Sequence, residues 1–235
     1  MKPAFLMIPA LGCDGELYDG LAAGLADLVE PQAIICEAVS IPACVDQLLR
    51  NAPKEFVILG TSFGGRVALE TALAAPGRIK GLWVIGAGPG AVADAAGGRE
   101  RSARLRGGEF GNVIGELARK AVHLAGPNGA AACETALRMM RRQGPELMAR
   151  QSDAMTARGD VTLRLSEITC PALMLWGSED QFSPPRDGLA MAAAIPNARF
   201  VEVRDCGHLP TLEAPGETLD AGRHWLHASH LTVRS

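Results

Sequence analysis

The sequence predicts an α/β protein with a mostly parallel, doubly wound sheet. Short apolar runs of strand length recur along the chain, and stretches with the apolar spacing of helices separate them. Strands that alternate with helices are typical of a parallel sheet covered on both faces. The 235 residues suffice for one large domain, or for one domain with an inserted lobe.

The first four strands are predicted from apolar runs that end in glycine, proline or polar residues. They lie at residues 4–8, 33–36, 56–59 and 81–86. Three helices are expected between them, the first from the spacing of four leucines. These helices cover residues 17–28, 41–50 and 66–75.

The stretch from 91 to 165 contains no convincing strand. Apolar residues between 110 and 125 recur at helical spacing. The segment 126–129, Gly-Pro-Asn-Gly, separates this helix from a second one, and Gly144-Pro145 opens a third. We therefore expect a helical insertion, with residues 1–90 and 166–235 forming the core and residues 91–165 forming a cap.

The alternation resumes after the insertion. A strand is predicted at 171–176, a helix at 187–195, a strand at 199–203 and a closing helix at about 215–228.

Composition excludes several classes of protein. Hydrophobic residues make up 48% of the chain, and a net charge of −3 gives no case for nucleic-acid binding. The six cysteines are dispersed without a Cys-x-x-Cys pair, so we expect no metal site, redox motif or cofactor. We expect no secretory segment, and no apolar run is long enough for a bilayer. We expect a cytoplasmic protein with reduced thiols and no membrane partner.

The pattern Gly-x-Ser-x-Gly at 60–64 joins a predicted strand to a predicted helix. A sharp turn there holds the Ser62 hydroxyl clear of its neighbours, and Gly60 and Gly64 remove side chains that would collide across the turn. A serine is a strong nucleophile only when a base takes its proton. The backbone N–H of Phe63, at the helix start, is predicted to stabilise a developing oxyanion.

An acid and a base follow two later strands. Asp180 lies just past one predicted strand and His208 just past the next, and such strand ends share one edge of a parallel sheet. We predict that His208 takes the Ser62 proton and that Asp180 holds the imidazole. Glu179 and Asp205 are rivals for the acid: the first is expected to point away, and the second to cap its own turn.

The loop after the first strand is expected to supply a second oxyanion donor. The backbone N–H of Leu11 is the candidate, because it follows the small Ala10, and Gly12 is nearly as good.

Over essentially its whole length the chain resembles the α/β-hydrolase superfamily, most closely its short bacterial serine esterase-like members. The resemblance rests on Gly-Thr-Ser-Phe-Gly-Gly at 60–65, Leu-Trp-Gly-Ser-Glu-Asp at 175–180 and Cys-Gly-His-Leu-Pro-Thr-Leu-Glu-Ala-Pro at 206–215. It implies the α/β-hydrolase fold, with a helical cap inserted after the sixth family strand. Many relatives carry His-Gly where this chain has Pro9-Ala10, and His where it has Thr61.

We expect a serine hydrolase that cleaves a small or medium acyl ester through an acyl-enzyme intermediate. C–C bond hydrolysis, thioester hydrolysis, a lyase reaction or non-hydrolytic ligand binding are the alternatives. Residues 91–165 carry 12 Arg/Lys and 8 Asp/Glu, so a basic cap could attract an anionic substrate or an acidic carrier protein. The densest part of that charge is Arg99, Arg101, Arg104 and Arg106, for which a solvated helix surface is the slightly favoured reading.

Overall fold

A six-stranded parallel sheet organises the protein, whose computed structural model describes residues 2–232. The strand order is β2-β1-β3-β4-β5-β6, and every neighbouring pair is parallel. The predicted fold class is confirmed. The strands are β1 (Ala4–Ile8), β2 (Glu30–Ala33), β3 (Phe56–Thr61), β4 (Ile79–Ile85), β5 (Ala172–Gly177) and β6 (Ala198–Val203).

Helices cover both faces of the sheet. They are α1 (Asp19–Leu25), α2 (Ile41–Asn51), α3 (Phe63–Ala74), α4 (Ala95–Arg106), α5 (Phe110–Ala121), α6 (Gly129–Thr156), α7 (Pro185–Ala194), α8 (Pro210–Glu213) and α9 (Pro215–Ala228). One apolar cluster joins the sheet to α1 and α9, and a second joins it to α2, α3 and α7. Within the described part of the chain, no helix combines the length and apolar character needed to cross a membrane.

Two sequence predictions near the N-terminus are wrong. The second strand lies at Glu30–Ala33 rather than at 33–36, because it is an edge strand whose position is set by pairing with β1. An edge strand needs no continuous apolar run, and it tolerates Pro31. The predicted helix at 17–28 is a 3-10 turn followed by α1, which ends at Leu25.

The segment between β4 and β5 is helical, as predicted. It contains α4, α5 and α6, and α6 packs against both of the others. The predicted break at Gly144-Pro145 interrupts α6, where Gly144 has φ 77° and ψ 169°. The cap boundaries at 91 and 165 remain a prediction.

Arg66 fastens both ends of this segment to α3. Its guanidinium is fully buried and donates to the carbonyls of Pro89 (2.5 Å) and Gly90 (2.9 Å), where the chain leaves the sheet. It also donates to the carbonyl of Gly159 (2.6 Å), where the chain returns. Because Arg66 lies one helical turn after Ser62, the helical segment is anchored next to the predicted nucleophile.

Candidate active site

The turn between β3 and α3 presents Ser62 in a strained conformation. Its φ of 56° is unusual for a residue other than glycine, and its backbone N–H donates to the carbonyl of Ile85 on β4 (2.8 Å). A Cβ at Gly60 would overlap the backbone of Gly64, and a Cβ at Gly64 would overlap the carbonyl of Ile8. Only residues without side chains therefore fit these two positions, as the sequence motif predicts.

His208 and Asp180 form a buried pair. The Nδ1 atom of His208 lies 2.6 Å from Oδ2 of Asp180, and the other carboxylate oxygen accepts the backbone N–H groups of Phe182 (2.8 Å) and Ser183 (3.0 Å). A carboxylate can only accept, so Nδ1 carries the proton and Nε2 is left as the basic nitrogen. Nε2 is buried and has no hydrogen-bond partner among residues 2–232.

The two rival acids lie elsewhere. Glu179 is exposed, and its carboxylate accepts a hydrogen bond from the hydroxyl of Ser178 (3.2 Å). Asp205 is exposed too and occupies the left-handed region, with φ 51°. Among the described hydrogen bonds, Asp180 is the one carboxylate that His208 contacts through its ring.

The end of β4 lies next to all three predicted residues. Gly86 has φ +60°, and a Cβ there would lie 2.8 Å from Nδ1 of His208 and 3.1 Å from Oδ2 of Asp180. The preceding residue, Ile85, accepts the N–H of Ser62. Among the described residues the Ser62 hydroxyl makes no hydrogen bond to Nε2, a contact that commonly tightens when substrate binds.

Glu213 holds the histidine loop, a role that sequence reasoning missed. The residue is 5% exposed, and its carboxylate accepts the backbone N–H groups of Gly207 (2.8 Å) and Leu209 (3.0 Å), which flank His208. It also accepts the N–H of His123 (2.7 Å), which follows α5. The only signal in the sequence was its place inside the segment 206–215 that carries the family resemblance.

The loop after β1 (the oxyanion loop, residues 9–13) is predicted to supply the second oxyanion donor and leaves one of its two candidate N–H groups without an acceptor in residues 2–232. The N–H of Gly12 donates to Oε1 of Gln151 (2.9 Å), whereas the N–H of Leu11 has no acceptor among the described residues. Phe63 is the first residue of α3, so the helix itself leaves its N–H unpaired. The arrangement favours Leu11 over Gly12 as the partner of Phe63.

Tyr18 is hydrogen-bonded to Thr61, which stands where many members of the family carry histidine. Its hydroxyl donates to the carbonyl of Ile8 (2.8 Å) and lies 2.8 Å from Oγ1 of Thr61. Since the Tyr18 proton goes to a carbonyl, Thr61 donates to the Tyr18 oxygen. Burial raises the pKa of Tyr18, so it stays a neutral phenol that joins the ends of β1 and β3.

The arginines of the helical segment are largely engaged within the protein. Arg104 pairs with Glu109 and Glu116, and Arg106 pairs with Asp153. Arg101 donates to the hydroxyl of Ser152 (2.9 Å), and its burial lowers its pKa. These contacts favour the structural reading of the basic cluster over an open anion-binding patch.

A strained serine at a strand-to-helix turn, beside a buried His–Asp pair on one edge of a parallel sheet, defines a class of protein. The chain belongs to the alpha/beta hydrolase family, whose model it matches over residues 5–221.

The chain is similar in sequence to two hydrolases and in structure to a solved esterase. The chain is 30% identical over 158 residues to 2-hydroxy-6-oxononadienedioate/2-hydroxy-6-oxononatrienedioate hydrolase of Cupriavidus pinatubonensis, covering 64% of this chain and 55% of that protein. It is 26% identical over 197 residues to pimeloyl-[acyl-carrier protein] methyl ester esterase of Aromatoleum aromaticum, covering 75% and 76%. A thermophilic esterase from Thermogutta terrifontis superposes with a TM-score of 0.89 at 26% identity, covering 98% and 91%. The chain spans about half the length (55%) of the first of these relatives.

Proposed function

We propose that the protein is a serine hydrolase that cleaves a carboxylic ester through an acyl-enzyme intermediate. The observation that carries the proposal is the 2.6 Å contact between Nδ1 of His208 and Asp180, which leaves Nε2 without a hydrogen-bond partner in the described part of the chain. This pair lies against Gly86, and the preceding residue, Ile85, accepts the N–H of Ser62. Ser62 is the nucleophile, His208 the general base and acid, and Asp180 the group that holds the imidazole.

The reaction proceeds in two halves. His208 takes the Ser62 proton at Nε2 while Oγ attacks the ester carbonyl, and the oxyanion is stabilised by the N–H groups of Leu11 and Phe63. The imidazolium returns that proton to the alcohol oxygen, which leaves as the C–O bond breaks. Water then gives a proton to Nε2 and adds to the acyl carbon, and Ser62 leaves with the proton while the acid is released.

We further propose that residues 91–165 form a cap over the substrate and that the substrate carries an anionic group. The ammonium of Lys120 on α5 lies 4.6 Å from the ring centre of Phe182, which lies 5.0 Å from that of His208. Among the ion pairs of residues 2–232, none involves Lys120. An acyl chain on an acidic carrier protein, as in the name of the Aromatoleum relative, suits this free charge.

Burst kinetics with p-nitrophenyl butyrate test the mechanism. We expect a burst of one p-nitrophenolate per protein, because each acyl-enzyme formed releases one, and labelling of Ser62 by a fluorophosphonate. Ser62→Ala should lose the burst and the label. A protein that saturating fluorophosphonate leaves unlabelled is a ligand-binding member and not a hydrolase.

The substrate charge has its own test. Lys120→Met should raise KM for a half-ester of a dicarboxylic acid by about fivefold or more and leave the matched neutral ester unchanged. Arg141→Met, an exposed cation on α6, is the matched control. Equal effects of Lys120→Met on both esters would remove the anionic substrate.

C–C bond hydrolysis is the second candidate, favoured by the name of the Cupriavidus relative. A molecule of that name contains no ester, so its hydrolysis must break a carbon–carbon bond. Loss of the visible absorbance of a 2-hydroxy-6-oxo-dienoate, together with slow p-nitrophenyl ester turnover, would select this reaction.

A further inference from the structure

Gln151 on α6 connects the helical segment to the oxyanion loop. The residue is 2% exposed, and its side chain reaches two backbone groups that are far away in sequence. Oε1 accepts the N–H of Gly12 (2.9 Å), and Nε2 donates to the carbonyl of Cys36 (3.0 Å) in the loop after β2. An amide satisfies both partners in only one orientation, because Gly12 can only donate here and the carbonyl can only accept. The side chain is therefore fixed.

The loop that Gln151 holds is a tight turn. The N–H of Cys13 donates to the carbonyl of Ala10 (2.9 Å), and Gly12, the third residue of the turn, has φ +72°. A positive φ at this position is typical of a type II turn. A Cβ on Gly12 would lie 2.8 Å from Cε of Met148 on α6, so the same helix also presses on the loop.

Because the N–H of Gly12 is bonded to Gln151, the N–H of Leu11 is the one that remains available as an oxyanion donor. In a type II turn the peptide between Leu11 and Gly12 has a defined orientation, and the bond to Gln151 opposes its rotation. The N–H of Leu11 belongs to the preceding peptide, so the bond acts on it through the φ and ψ angles of Leu11. Without Gln151, the buried N–H of Gly12 and the carbonyl of Cys36 would both lack a partner, and regaining one requires the loop to move. Oxyanion donors act only when they are held at the correct place beforehand.

We propose that Gln151 is a positioning residue that keeps the N–H of Leu11 aimed at the oxyanion. Through Gln151, helix α6 sets the geometry of a donor in the loop that follows β1. The inference rests on the proposed serine hydrolase mechanism and adds a residue that does not touch the substrate.

Gln151→Met tests this role, because methionine has a similar length and neither polar group. The matched control is Gln143→Met on the same helix, since Gln143 donates to Asp14 (3.2 Å), just beyond the turn. We expect Gln151→Met to lower kcat for p-nitrophenyl butyrate by about 10- to 100-fold, with KM within about threefold of wild type. The Ki of a trifluoromethyl ketone, which forms an oxyanion on Ser62, should rise by the factor that kcat/KM falls. Gln143→Met should match wild type.

A kcat within twofold of wild type in folded Gln151→Met, or an equal loss in Gln143→Met, overturns the proposal. So does a fall in kcat with an unchanged ketone Ki. If Gln151→Met does not fold, Gln151→Glu decides, because its protonated carboxyl restores both hydrogen bonds. Its kcat/KM relative to wild type at the same pH should rise as the pH falls from 8 to 5, and a constant ratio contradicts the role. If Ser62→Ala turns over p-nitrophenyl butyrate as fast as the wild-type protein, that result refutes the serine hydrolase mechanism on which the role of Gln151 rests.

Discussion

Glu213→Gln should loosen the loop that carries His208. The carboxylate accepts three backbone N–H groups, two at Oε2 and one at Oε1. Glutamine keeps one acceptor oxygen and places an NH2 donor against an N–H donor at the other. At least one charge-assisted hydrogen bond is lost, each worth about 1.5–3 kcal/mol, so the free energy of unfolding should fall by about 2–4 kcal/mol. For a protein of this size that lowers Tm by about 5–15 °C.

Thermal unfolding followed by circular dichroism, together with kcat for p-nitrophenyl butyrate, measures both consequences. We expect kcat to fall as well, because Gly207 and Leu209 flank the base. Glu217→Gln is the control, since Glu217 is an exposed glutamate four residues further on. If Glu213→Gln unfolds within about 1 °C of wild type and keeps its kcat, the three hydrogen bonds do not position His208.

Three further substitutions test the site and its anchor. Asp180→Asn should lower kcat by on the order of 10⁴-fold while Ser62 remains in its turn, because an asparagine amide can leave the imidazole in the wrong tautomer; a loss below tenfold would contradict the assigned role. Gly86→Ala should lower kcat by about 100-fold or more, since its methyl group would lie 2.8 Å from Nδ1 of His208, whereas Gly88→Ala, which meets nothing within 4 Å, should not. Arg66→Met should cost about 3 kcal/mol or more of stability and speed hydrogen exchange around residues 88–90 and 159–161; unchanged exchange there would show that the clamp is dispensable.

The sequence predicted best where a local motif forces the geometry. The turn at Ser62 requires glycine at positions 60 and 64, so the residue types there are enough to predict it. The edge strand β2 was misplaced, because its position depends on pairing with β1 rather than on its own apolar content. Periodicity distinguishes strands and helices but says little about an edge.

Contacts across long sequence separations could not be predicted. Gln151 and Gly12 are 139 residues apart, and Glu213 and His123 are 90 apart. A buried glutamine or glutamate looks in sequence like any surface polar residue, and only the packing of α6 and α8 shows that it is enclosed. The choice between Leu11 and Gly12 stayed open for the same reason, since the acceptor that occupies Gly12 comes from a distant helix.

The clamp at Arg66 means that the inserted helices leave and rejoin the scaffold at nearly one point. Besides the guanidinium contacts, the N–H of Val161 donates to the carbonyl of Pro89 (3.0 Å), so the outgoing and returning segments are also hydrogen-bonded to each other. Because the two ends of the insert are held together, its length has little effect on the positions of the strands on either side. Helical inserts of different size should therefore be exchangeable between 89 and 161 without displacing the Ser62 turn, and activity should survive only in chimeras whose insert keeps the Gln151 contact to Gly12.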